Sequence, residues 1–109
     1  MNKCDIRQNE LCNSLGAEYC IRYIDLERVI YRDFGNGFNA EISGMPTENK
    51  NKLATIYLWY RSEYIIKSIC KVARSDIADV VDKLYVLSCD ILRNNHASPP
   101  GEGWGSKNL

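Results

Sequence analysis

Chemistry in this chain would have to begin with one histidine and five cysteines. A catalytic cysteine needs a base on a rigid element to take its proton. His96 lies in residues 94–109, a run dense in Gly, Pro, Ser and Asn, where nothing would hold it beside a thiol. Cys4, Cys12, Cys20, Cys70 and Cys89 contain no C-x-x-C pair, and the eight-residue spacing of the first three matches no zinc motif. Buried small hydrophobes are the expected role of Cys20, Cys70 and Cys89. Asp76, Asp79, Asp82 and Asp90 spread over the solvent side of a helix instead of converging on an ion. Gly35-Asn36-Gly37 lacks the third glycine and following helix of a dinucleotide fingerprint, so it reads as a turn. The expectation is therefore no enzyme, no metal and no cofactor.

Two groupings suit binding instead. Tyr31, Tyr57 and Trp59 fall on one face of their strands with Asn39, Glu41 and Thr55, and tyrosine and tryptophan on a rigid sheet are interface anchors. The competing explanation is that another part of the chain covers them. Arg61, Lys67, Lys71 and Arg74 lie beside Tyr57, Trp59, Tyr60 and Tyr64, and charge interleaved with rings suits phosphate contact and base stacking. Yet Lys67, Lys71 and Arg74 at i, i+4 and i+7 also describe any solvated helix face. A helix-turn-helix reader is disfavoured, because its recognition helix would open with Asp76 and Asp79.

The elements that would position these residues centre on 27–60. Residues 28–33 are rich in β-branched and aromatic residues, residues 38–43 alternate with Phe38, Ala40 and Ile42 on one face, and the two flank the glycines of the turn. Residues 54–60 alternate likewise, with Ala54, Ile56 and Leu58 on one face, so the sheet should have one face in the core and one wet. Residues 17–26 read as a strand, either continuous with the next through a bulge near Asp25 or reversing there as a fourth strand. Residues 3–15 form a short amphipathic helix, with Cys4, Gln8, Leu11, Cys12 and Leu15 on one side and Gly16 as its stop. Residues 63–73 place Ile65, Ile66, Ile69, Cys70, Val72 and Ala73 on one helical arc. Ser75 then caps a second helix to about Arg93, with Ile77, Val80, Val81, Leu84, Leu87, Ser88, Ile91 and Leu92 inward.

The expected fold is α+β: a three- or four-stranded antiparallel sheet, a short N-terminal helix and two C-terminal helices packed on one face. Residues 1–94 form the domain and 95–109 a flexible tail. At 109 residues there is material for one core. Fourteen basic and fourteen acidic residues cancel, which counts against non-specific nucleic-acid binding. No apolar run reaches the roughly 20 residues of a membrane span, the start is too polar for a signal peptide, and unpaired cysteines suit a reducing cytosol. The function expected is a small cytoplasmic, non-catalytic binding or regulatory protein. It would act by protein–protein contact through Tyr31, Tyr57 and Trp59, on an unknown protein or a second copy, as a phage or mobile-element accessory or inhibitor would. The alternative is a nucleic-acid or anion-binding module using Arg61, Lys67, Lys71 and Arg74.

Overall fold

A computed structural model describes residues 3–44 and 53–94. The first helix, α1, spans Lys3–Leu15. Five strands follow: β1 Tyr19–Ile24, β2 Glu27–Asp33, β3 Phe38–Ser43, β4 Ala54–Tyr60 and β5 Tyr64–Val72. A short 3₁₀ turn over Arg74–Asp76 leads into α2, Ile77–Asn94. The strands lie in chain order and every neighbouring pair is antiparallel. The tail expected over 95–109 lies outside the described residues.

Residues 17–26 resolve in favour of the tight reversal. Asp25 and Leu26 both take positive φ, 51° and 67°, and Ile24 pairs with Glu27. Two left-handed residues between paired strands match the right-handed strand twist. Leu26 buys nothing by burial there, since its side chain is fully exposed.

The helix expected over 63–73 is instead β5, so the sheet has five strands and, among the described residues, one α-helix follows it. The reversal at Arg61 and Ser62, φ 54° and 58°, is closed by Glu63 N–H donating to Tyr60 O at 3.0 Å. That turn sends the chain straight back along β4. Two register shifts then let nine residues of β5 face seven of β4, one of them beside Lys71 at φ 58°. Each bulge moves the inward side chains by one position. The residues of β5 packed on the core become Ile66, Ile69 and Val72, an interval of three that imitates a helical stripe. The β-branched content was the better guide.

One isoleucine from each strand lies in register across the core face: Ile21 against Ile30, Ile30 against Ile42, Ile42 against Ile56, and Ile56 against Ile69. Phe38, Ala40, Leu58 and Tyr60 extend the same face. Both helices pack there. α1 contributes Leu11 and Cys12, and α2 contributes Ile77, Val81, Leu84 and Ile91, with Val80, Leu87 and Leu92 at the margin. The inward stripe of α2 is as expected, although Ser75 sits inside the preceding 3₁₀ turn and makes no cap.

Two arginines of β2, four residues apart and so on the same face, tie down one helix each. Arg28 donates to Gln8 Oε1 and Asn9 Oδ1, both at 2.6 Å, and pairs with Asp5 of α1. Gln8 Nε2 returns a bond to Arg28 O at 2.9 Å. Arg32 pairs with Asp82 of α2 at 3.2 Å. The hairpin turn is anchored too: Asn36 Nδ2 donates to the buried Ser88 Oγ of α2 at 3.0 Å. Gly37 takes φ 93°, a conformation that strains any L side chain, and a Cβ there would also crowd the Tyr60 ring at 3.1 Å.

Two substitutions check this architecture. Ile56→Ala should cost about 2–5 kcal/mol in denaturant unfolding, and Thr55→Ala less than half as much. Lys71→Gly should stabilise by up to ~1 kcal/mol if Lys71 occupies a left-handed bulge position, whereas in a helix it would cost about 1 kcal/mol. The sign of that change therefore separates strand from helix.

Candidate functional site

Period-two alternation sends the other half of each strand to the face opposite the helices. Across the sheet that face carries the row Cys20, Tyr31, Glu41, Tyr57 and Ser68, each in register with the next. A second row runs Asp33, Asn39, Trp59 and Ile65. Tyr31, Tyr57 and Trp59, the residues expected to bind a partner, are thus brought together around Glu41. Among the described residues, no helix lies over them.

The wet face expected of the sheet is drier than alternation implies. All six residues of β3 are buried, including Asn39, Glu41 and Ser43. Their longer neighbours shelter them. Trp59 Nε1 donates to Glu41 Oε1 at 3.0 Å. The Arg22 guanidinium lies 4.0 Å from the Tyr31 ring centroid, leaving Tyr31 only 6% exposed. Tyr57 and Trp59 remain half-buried, so they form the accessible part of the cluster. At one end the two turns meet, with Arg61 N–H donating to Gly37 O at 2.8 Å. Beside them a depression of about 370 Å³ is lined by Tyr31, Asp33, Asn39, Arg61 and Ser62.

Burial pushes the Glu41 carboxyl above the ordinary glutamate range. The Trp59 hydrogen bond opposes that shift, while the negative charges of Glu27 and Asp25 add to it. Desolvation therefore outweighs the one hydrogen bond that favours the ion. The face holds a carboxylate that its own surroundings stabilise poorly.

The basic group is dispersed. Arg61 sits in the β4–β5 turn with its guanidinium 5.2 Å from the Tyr60 ring centroid. Lys67 is half-buried on β5 opposite Leu58, Lys71 is exposed at the bulge, and Arg74 is exposed in the 3₁₀ turn. They follow an edge strand and do not share a helix face. Lysines and bulges on an edge strand are ordinary protection against pairing with another sheet.

The thiols also differ from expectation. Cys12 is buried, with burial raising its pKa, whereas Cys20 and Cys70 are exposed and Cys89 is half-buried. Cys20 projects onto the open face beside Tyr31, and the bulges turn Cys70 outward. Among the described residues no three His, Cys, Asp or Glu side chains converge on a common point. None of the described helices is long and apolar enough to cross a membrane.

Sequence reasoning missed a second aromatic site. Arg32 lies among the rings of Tyr19, Phe34 and Tyr85, with centroids at 5.4, 5.3 and 5.9 Å, and is paired with Asp82. Its members come from β1, β2, the following turn and α2, so no local pattern announces it.

Compared with protein-family models, curated proteins and solved structures, the chain matches none.

The raised Glu41 pKa has a signed consequence. The folded state holds the proton more tightly than the unfolded chain, so this contribution is fully present below the unfolded value. It is lost as pH rises through the folded one. Lowering the pH from 7 toward 4 should therefore stabilise the wild type relative to Glu41→Gln in parallel denaturant titrations. A pH-independent difference would remove Glu41 from the account.

Proposed function

We propose that the protein is a small non-catalytic binding module that engages a partner protein through the open sheet face, with Tyr31, Tyr57 and Trp59 as anchors. The observation that carries this reading is the one-sided packing of the sheet. α1 and α2 share the core face, leaving Tyr31 and Tyr57 in one cross-strand row and Trp59 in the next on a rigid surface with no helix among the described residues above them. Large amphipathic rings held by a sheet lose little conformational entropy when a partner covers them. Half-burial of Tyr57 and Trp59 leaves apolar area for a partner to cover, and the hydrogen bond to Glu41 fixes the indole orientation.

Binding of nucleic acid or another anion through Arg61, Lys67, Lys71 and Arg74 is the competing reading. Net charge of zero gives it little long-range attraction, and the dispersal of the four along β5 and its flanking turns gives it no compact patch.

Affinity capture from host extract, with and without nuclease, separates the two. A specific partner should survive nuclease and the combined Lys67→Ala, Lys71→Ala and Arg74→Ala replacement. Trp59→Ala should lose it, a central aromatic being worth about 2 kcal/mol or more at an interface. Thermal melts of each variant establish that folding is intact. Capture that vanishes with nuclease or at high salt, and persists in Trp59→Ala, would favour the anion surface.

A further inference from the structure

The chemistry of the open face narrows what its partner must present. Glu41 stands on the central strand at 7% exposure, with Tyr31 and Tyr57 as its direct cross-strand neighbours and Trp59 one row away. Ion pairs among the described residues use Asp5, Asp82 and Asp90, so Glu41 has no cation of that kind. Its hydrogen bond from Trp59 occupies one oxygen, and a carboxylate has capacity for several more donors. The neighbouring charges of Glu27 and Asp25 increase the local negative potential.

We propose that the cluster of Tyr31, Glu41, Tyr57 and Trp59 receives a cationic side chain, arginine or lysine, from the partner protein. This rests on the reading of the face as a protein interface and adds the chemistry of its occupant. A cation above an aromatic face is attracted by the ring quadrupole, more strongly where water is excluded. A carboxylate among the rings supplies a charge-assisted hydrogen bond in the same place. The molecule already uses that combination internally. Arg32 sits among three aromatic rings with Asp82 at 3.2 Å, a filled version of the arrangement that surrounds Glu41. On the open face Arg22 already covers Tyr31 at 4.0 Å, so the incoming cation seats on the Tyr57 and Trp59 side.

The test uses the full chain and small probes. N-acetyl-arginine amide is titrated while the Trp59 indole N–H is followed by NMR, with Trp104→Phe identifying which signal belongs to Trp59. The neutral isostere N-acetyl-citrulline amide serves as control. The arginine probe should shift the Trp59 signal, and the citrulline probe should need a roughly tenfold higher concentration for the same shift. Glu41→Gln preserves the shape and an acceptor for the indole, and it should abolish the preference for arginine. Tyr57→Leu keeps apolar cover but removes the ring, and should weaken the arginine response. Equal responses to both probes, or an arginine preference intact in Glu41→Gln, would overturn the proposal. Should the probes fail while partner capture still depends on Trp59, the cationic occupant is wrong and the protein interface stands. Capture that ignores Trp59→Ala would instead remove the interface itself.

Discussion

The register of five isoleucines, Ile21, Ile30, Ile42, Ile56 and Ile69, is the constraint on which the molecule depends. Each strand contributes one, and the middle three are completely buried. A slip of one residue in any strand would turn its apolar set to the opposite face. Because the row spans the whole sheet, it defines one continuous apolar surface, and both helices must gather on it. One-sided packing of the two helices follows from that row, and among the described residues no helix reaches the second face.

Burial alone does not say where on this surface each helix rests. Arg28 and Arg32 supply that information. They emerge on either side of Ile30 on the core face, and each finds its partners on a different helix. Guanidinium groups offer several donors in a fixed plane, so Arg28 can bridge two side chains and a carboxylate of α1 at once. Arg32 meets one acid and three rings. Asn36 and Ser88 add a third tie between the sheet end and α2.

The second face shows a different balance. Its residues are polar enough to face water, yet large neighbours enclose those of β3. Glu41 is the point of tension, held by one indole hydrogen bond against desolvation and two like charges. Such an arrangement gains little for stability. It does concentrate negative charge and aromatic surface at a single rigid position, which is what recognition of a cation requires.

The sequence alone determined the hairpin of β2 and β3, the faces of β4 and the two terminal helices, because each depends on local periodicity and turn chemistry. Gly35 and Gly37 marked their turn, and α2 showed its stripe over eighteen residues. It also grouped Tyr31, Tyr57 and Trp59: alternation gives Tyr57 and Trp59 a common face, and the register through Glu41 brings Tyr31 to it. β5 escaped this reasoning: bulges opposite β4 displaced its side chains into a three-residue interval, and bulges exist only where two strands are paired. Arg61 and Ser62 carry no glycine to advertise their positive φ, and the reversal is enforced by pairing with β4. The burial of Glu41, the exposure of Cys20 and Cys70, and the aromatic seat of Arg32 were likewise tertiary decisions. Each depends on which side chains from distant strands and helices arrive beside it, and that information is spread over residues far apart in the chain.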